Sequence, residues 1–283
     1  GKYNVLPYGK SGSVSQIFAG TNMTVSVYAV DSFYNLNPSV SLPIYAYLPS
    51  DSFDTTSPSL TLVSGATDFV LTPVTAGTQI VTTTANVTNA SYSSENFTVS
   101  PDTNPSQIRL QMLMSGETAV PGRPPYATSQ GGKTGTPNPF YVGQASTITV
   151  RLVDRFYNLI QSGAVMPSIH LVTTDPNDEN FGFDPQDVSI ANGVVQASIT
   201  FVTQNNIYSP TTNPNRNGLG WRIDATDNGG TNYTTDFSTW VVTWPNDITK
   251  LRLVAPGETA VEGVHPSTST GKTGTPTSAT AGS

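Results

Sequence analysis

Three Gly-Lys pentapeptides are the residues best suited by type to bind an anion or to react. They are Gly9-Lys10-Ser11-Gly12-Ser13, Gly132-Lys133-Thr134-Gly135-Thr136 and Gly271-Lys272-Thr273-Gly274-Thr275. A phosphate-binding loop needs a further glycine five positions before the one that precedes lysine, and a helix after it. Ala127 and Pro266 stand where that glycine is required, and strand-like sequence follows. The glycines therefore read as backbone bends with positive φ, with the lysine covering a strand edge. A second set is Asp31 with Asn35, and Asp154 with Asn158, repeated after matching strands. Asp and Asn at this spacing bond their own backbone in turns. Calcium is the sharper alternative, and Asp175-Pro176-Asn177-Asp178-Glu179-Asn180 also offers side-chain oxygens. That stretch lacks the glycine and terminal glutamate of an EF-hand loop. Ca2+ is thus the one cofactor with any sequence support, and no metal residue is assigned.

Catalytic chemistry finds little footing. His170 lies in a strand pattern and His265 in a Pro/Ser loop, so neither a Ser-His-Asp set nor a His metal cluster can be assembled. The chain has 283 residues and no cysteine, which excludes disulfides and thiolate metal sites. Its net charge is −7, with no basic stripe to neutralise phosphates, which argues against nucleic acid. Only 11% of residues are charged, against about 25% in an ordinary soluble domain. Ser and Thr take the place of the missing charges, as on the strands of secreted β proteins. No apolar run approaches the roughly 20 residues of a membrane span. The chain opens at Gly1 without a charged-then-apolar leader: either a leader has been removed or the numbering starts inside a longer product.

The elements that must position these residues are strands. Period-two alternation is broken by Gly, Pro, Asn and Asp, and helix signals are nearly absent. Met23, Val25, Val27 and Ala29 form one apolar face. Ile148, Val150 and Leu152 form its counterpart, with Thr147, Thr149 and Arg151 expected on a wet face. Val195, Ala197, Ile199 and Phe201 make a further inward face, as do Trp221, Ile223 and Ala225, and then Trp240 and Val242. One dry face and one wet face is the antiparallel pattern. Strands are expected near 14–18, 22–30, 42–48, 59–63, 67–73, 78–85 and 93–99. A second set is expected near 108–114, 146–153, 167–173, 187–190, 194–203, 220–226 and 235–244. This density predicts an all-β chain of tandem immunoglobulin-like antiparallel β-sandwich domains.

The sequence repeats itself. Val30-Asp31-Ser32-Phe33-Tyr34-Asn35-Leu36 matches Val153-Asp154-Arg155-Phe156-Tyr157-Asn158-Leu159, and Gly116-Glu117-Thr118-Ala119-Val120 matches Gly257-Glu258-Thr259-Ala260-Val261. The later matches lie further apart because of a polar insertion at 204–218. The expected division is a sandwich at 1–101, a second at 102–245 and a partial repeat at 246–283, a candidate donor strand or linker to a next unit. The Asp-x-x-x-Asn turn after a strand, and the Pro-Gly-Glu-Thr-Ala and Gly-Lys-Thr-Gly-Thr-Pro phrases, resemble tandem bacterial immunoglobulin-like repeats of the invasin type in large cell-surface proteins. Phe33-Tyr34 and Phe156-Tyr157 replace the glycine of the invasin turn. The resemblance implies a surface location, and it raises one covalent chemistry. Some surface immunoglobulin-like domains join a lysine to an Asn or Asp side chain beside a buried acid. Lys10, Lys133 and Lys272 are the lysines in question, with Glu117 and Glu258 as acids. The rarity of buried lysine favours the alternative, a solvated lysine in a Gly/Thr loop.

The first module has no full opening strand (Tyr3 to Leu6 is at most a short one). The tail carries a spare, Leu251-Arg252-Leu253-Val254, with its Gly-Glu-Thr-Ala-Val extension. A bare sheet edge accepts a strand from another chain, and unlike ends propagate contacts into a filament. The sequence thus predicts a non-enzymatic extracellular fibre subunit assembled through Leu251, Leu253, Val254, Glu258 and Val261. Its partners are copies of itself or neighbouring repeats of one polypeptide. A fragment of a giant surface adhesin and a carbohydrate-binding adhesive module, which would have surface glycans as partner, are the alternatives. The exposed-ring candidates for a glycan are Tyr34 and Tyr157. Asn22, Asn86, Asn89, Asn96 and Asn232 lie in Asn-x-Ser/Thr sequons, which permit glycans without indicating them.

Overall fold

A computed structural model describes residues 9, 10, 12, 14–54, 59–85, 91–206 and 219–279. The expected short strand at Tyr3 to Leu6, most of the 204–218 insertion and the sequons at Asn86 and Asn89 lie outside the described residues. The chain is all-β, with immunoglobulin-like antiparallel sandwiches, and it separates into two compact units. Unit 1 comprises Gly1–Gln107 together with Val120–Ala127 and Asp154–Leu159. Unit 2 comprises Ile108–Ala119, Thr128–Val153 and Ile160–Ser283. Two short segments of the expected 102–245 module therefore fold with unit 1. Among the described residues, no helix is long and apolar enough to cross a membrane.

In unit 1, Met23–Tyr28 pairs antiparallel with Ala66–Leu71. A second sheet runs Ser59–Thr61, Pro43–Tyr47, Thr82–Ala85, Ser91–Ser93. The core between them holds Phe69, Leu71, Ala46, Ile44 and Val99, and Met23, Val25, Val27 and Ala29 pack against it as their alternation requires. The expected strand 78–85 is split. Gly77–Gln79 bonds to Phe97–Ser100, whereas Thr82–Ala85 bonds to Pro43–Tyr47. One segment thus serves two sheets, a corner device of sandwiches that alternation alone does not reveal.

In unit 2, Arg109–Leu113, Ser146–Val153 and Val194–Ile199 form a three-stranded sheet. It faces a four-stranded sheet of Gln186–Ser189, Ser168–Thr173, Ile223–Asp227 and Asp236–Phe237. Leu110, Met112, Val150 and Leu152 from one sheet meet Ile169, Leu171, Ile223 and Ala225 from the other. Among the described residues the exceptions to antiparallel order are two parallel pairings of two residues each, Ile17–Phe18 with 99–100 and Phe140–Tyr141 with Thr243–Trp244, and the isolated parallel bridge of Arg109 with Thr234.

Two face assignments are corrected. Trp240 is 41% exposed while Val241 is 1% exposed and Thr243 is buried, so the inward set is 241 and 243 rather than 240 and 242. A one-residue change of register exchanges every face. Arg151 is not on a wet face: it is 8% exposed and donates to the Gln111 side chain at 2.6 Å. Gln111 in turn donates to the Gly131 and Gly132 carbonyls. The covering segment is the hairpin of Glu117–Ala119 with Lys133–Gly135, built from the Gly-Lys motif itself.

Candidate functional site

The repeated turn is formed twice, with the same internal bonds. In 31–35 the amide of Asp31 donates to the Asn35 carbonyl at 3.0 Å, and Tyr34 N–H to the Asp31 carbonyl at 3.0 Å. The Asp31 carboxylate accepts from the amides of Phe33 and Asn35, both at 2.9 Å, and from the Asn35 side chain at 3.0 Å. In 154–158 the corresponding bonds measure 3.1, 2.9, 2.8, 3.0 and 2.9 Å. Tyr34 and Tyr157 both hold positive φ, 65° and 66°. The Asp carboxylate compensates that strained backbone locally, so the turn is specified by its own five residues.

Their surroundings differ. Phe33 is 59% exposed, whereas Phe156 is 4% exposed and belongs to the core of unit 1. The Phe156 ring lies against Gly20, where an added Cβ would come within 2.2 Å of it, and edge-on to Tyr126 at 4.8 Å. Its carbonyl accepts from Gly122 N–H at 2.7 Å. The Asn158 side chain accepts from Ala76 N–H at 2.8 Å and donates to the Val74 carbonyl at 2.9 Å. Tyr157, a glycan candidate by sequence, is 1% exposed and donates to the Pro125 carbonyl at 3.1 Å. Electrostatics follows burial. Hydrogen bonds from Asn35 hold the Asp31 carboxyl below its usual value, whereas desolvation pushes Asp154 above it despite the same bonds.

Beneath the seated turn sits a buried carboxylate, and this too occurs twice. Asp51 accepts from the amides of Val74 and Thr75 at 2.7 and 2.8 Å. Asp175 accepts from those of Val202 and Thr203 at the same two distances. Asp175 is therefore engaged by backbone donors. Among the described residues, no group of three or more His, Cys, Asp or Glu side chains is placed to hold a metal ion. Glycines close both arrangements. A Cβ on Gly122 would lie 2.1 Å from Thr75 Oγ1, and one on Gly263 would lie 2.1 Å from Thr203 Oγ1.

The lysines divide the same way. Lys133 is not solvated: its side chain and that of Glu117 are each 4% exposed, with Nζ 3.1 Å from Oε1. Lys133 also reaches the Met112 carbonyl and Thr239 Oγ1, both at 3.3 Å. Glu117 accepts from Met114 N–H and Thr239 as well. A fully bonded pair of this kind survives burial. Beside it Asp236 accepts from Met112 N–H at 2.7 Å, and burial pushes its carboxyl up to about 7. Lys272 and Glu258 pair at 2.8 Å, with the lysine side chain 29% exposed. Lys10 is exposed.

The five sequence-assigned assembly residues lie on one segment. Leu251 is 96% exposed, Leu253 83% and Val254 39%. Glu258 accepts from Ala255 N–H at 2.8 Å, and Val261 N–H donates to the Gly271 carbonyl at 2.8 Å. The hairpin Glu258–Ala260 with Lys272–Gly274 is thus formed, and the ribbon before it touches it through Arg252, which donates to the Val261 and Gly271 carbonyls at 2.8 and 3.0 Å, while its leucines stay exposed. The matching residues in unit 2, Leu110 and Met112, are 0% exposed. Strand Met23–Tyr28 pairs, among the described residues, only with Ala66–Leu71. Its counterpart Ser146–Val153 is paired on both sides.

Sequence reasoning missed three exposed aromatics on unit 2. Phe237, Trp240 and Trp244 are 43%, 41% and 44% exposed. The Arg222 guanidinium lies 4.6 Å from the Phe237 ring centre and 5.6 Å from that of Trp240. Correct register at 240–244 was the signal needed.

No known protein family and no curated protein matches the chain. Solved structures similar to it include the D0-D1 domain of intimin, at 11% identity and a TM-score of 0.28, with 81% of this chain and 93% of that one covered. A C-terminal intimin fragment in complex with the intimin-binding domain of its translocated receptor aligns at 10% identity and a TM-score of 0.26, with 81% and 61% covered. The native conformation of E. coli alpha-2-macroglobulin aligns at 10% identity and a TM-score of 0.35, with 83% and 16% covered.

Proposed function

We propose that this chain is a structural, non-enzymatic segment of an extracellular cell-surface fibre, whose copies join head to tail by strand complementation. One observation carries the reading: a strand edge without a partner among the described residues, and an exposed ribbon that matches the strand covering the equivalent edge in unit 2. In unit 2, Leu110 faces Leu152 and Met112 faces Val150. By the repeat, Leu251 of one copy then faces Ala29 of the next, and Leu253 faces Val27. The ribbon's alternate leucines would enter the apolar layer that Val25, Val27 and Ala29 already form. Backbone bonds supply affinity and the buried leucines specificity. The contacts are heterologous, so they extend without closing. If the edge belonged instead to the following repeat of one longer polypeptide, the same contacts would form, and the mass of native material separates the two forms.

The test is a double substitution, Leu251→Asp with Leu253→Asp, followed by sedimentation and electron microscopy. The parent chain elongates with concentration and the variant stays monomeric. Fibres from the variant, or none from the parent, end this reading.

A second reading draws on the exposed rings. Phe237 and Trp240 with Arg222 between them form a surface suited to stacking on a sugar face, so unit 2 would also act as a glycan-binding adhesive module. Calorimetric titration with oligosaccharides checks this. Binding that survives Phe237→Ala with Trp240→Ala places the sugar elsewhere.

A further inference from the structure

Unit 2 contains a cavity of about 360 Å³ lined by Val142, Gly143, Phe181, Phe183, Val202 and Gly263 among others. That volume lies at the small end of ligand pockets, about 300–1,000 Å³. The repeat identifies the cavity. Gly143 corresponds to Gly20, Val202 to Val74 and Gly263 to Gly122. In unit 1 those three residues hold the 154–158 turn: Gly20 touches the Phe156 ring, Gly122 N–H bonds its carbonyl, and the Val74 carbonyl accepts from Asn158. In unit 2 nothing lies within 4 Å of a Cβ built on Gly143. The wall supplied by Gly263 is nevertheless in place against Thr203 and Asn177.

The polar groups around the cavity match as well. Each position that bonds the seated turn in unit 1 has a counterpart in unit 2 with no partner among the described residues. Ala76 N–H, the Val74 carbonyl and Gly122 N–H are all engaged. Asp102 N–H also donates to Asp154 at 3.0 Å. The corresponding Gln204 N–H, Val202 carbonyl, Gly263 N–H and Asn246 N–H make no such bond. Val202 is only 7% exposed, so an acceptor left open there is costly.

We propose that this cavity is a socket for a Phe-Tyr-Asn turn, and that its occupant is the 31–35 turn of a second copy of the chain. The turn is preformed, with bonds and positive φ equal to those of the seated one, and its Phe33 is exposed. Docking inserts the Phe33 ring over Gly143 and bonds its carbonyl to Gly263 N–H. Asn35 bonds Gln204 N–H and the Val202 carbonyl, and Asp31 accepts from Asn246 N–H. The inference rests on head-to-tail assembly, since it adds a second contact to the same joint and fixes the rotation of one copy on the next.

The chain has no cysteine, so single cysteines report contacts cleanly. Chains carrying Ser32→Cys, an exposed position that leaves Asp31, Phe33 and Asn35 intact, are mixed with chains carrying Gln204→Cys and treated with a short bismaleimide. The control pairs Ser32→Cys with Gln196→Cys, an exposed site elsewhere on unit 2. Docking raises the local concentration, so the first pair should give about tenfold more heterodimer than the control, and adding Phe33→Ser should abolish the excess. Equal yields in the two pairs while parent fibres form overturn the socket and leave strand complementation standing. A preference for linking Ser32→Cys to itself assigns the cavity another occupant and likewise overturns the proposal. Specific cross-linking that persists with Leu251→Asp and Leu253→Asp keeps the socket and removes strand complementation. Neither cross-links nor fibres removes both.

Discussion

The turn 31–35 and the turn 154–158 share a hydrogen-bond pattern to within 0.1 Å, yet one Phe is exposed and the other is core. The difference teaches that the motif's local chemistry and its packing are separable. Asp and Asn build the turn, whereas Phe, Tyr and the outer face of Asn are directed at whatever receives it. The seated copy shows the motif with its Phe in a core, and the other copy shows the same turn with its Phe exposed. The same contrast separates Leu110 and Met112 from Leu251 and Leu253, and Lys133 from Lys272.

The comparison can be broken at its strongest point first. Phe156→Ala should destabilise unit 1 by about 3–5 kcal/mol, the usual cost of emptying a core aromatic site. Phe33→Ala should stay within about 0.5 kcal/mol in the monomer. Denaturant unfolding below the assembly concentration reads both, and equal losses would mean that the seated ring carries no packing energy. Next come the lysines. Lys133→Met leaves Glu117 charged and buried, a loss of about 3–5 kcal/mol. Lys272→Met should lower the unfolding midpoint less, because solvent reaches the Lys272 side chain, although Glu258 is itself largely covered. A matching drop in both variants would erase the distinction.

The smallest effect, and the sharpest, is electrostatic. Asp31 is held below 3.8, so it contributes stability present above that pH and lost as pH falls through its folded value. Asp154 is raised above 3.8, so its sign is opposite. Between 3.8 and its folded value the unfolded chain binds fewer protons, and stability declines as pH rises through that window. Carboxyl NMR titration should place the two aspartates on opposite sides of 3.8. Finding both on one side would show that burial does not govern the difference. Asp236 and Asp178, both pushed up to about 7 by burial, extend the same declining slope toward neutral pH, and Asp236→Asn should lessen it while keeping an acceptor for Met112 N–H.

Much of this was legible before any coordinates. Alternation placed most strands and the Met23, Val25, Val27 face, because side-chain direction in a strand follows position alone. Asp-x-x-x-Asn marked the turn, since its bonds close within five residues. The likeness of Leu251–Val254 to the strand at 110–113 showed as a repeat. Other features were hidden. Trp240 and Val242 are both apolar, so alternation there admitted either register. The Gly-Lys-Thr motif looked like a solvated loop because lysine is rarely buried, and nothing local announces that Glu117 and Thr239 will surround it.

The amino-acid sequence by itself determined the strands, the turns and the fact that each device occurs more than once, because these depend on neighbours along the chain. Only the tertiary structure decided which copies are filled. Whether a phenylalanine is core or surface depends on Gly20, Val74 and Gly122 converging from distant segments. A convergence of that kind is paid for by burial of apolar area and leaves no mark on the spacing of the residues that make it.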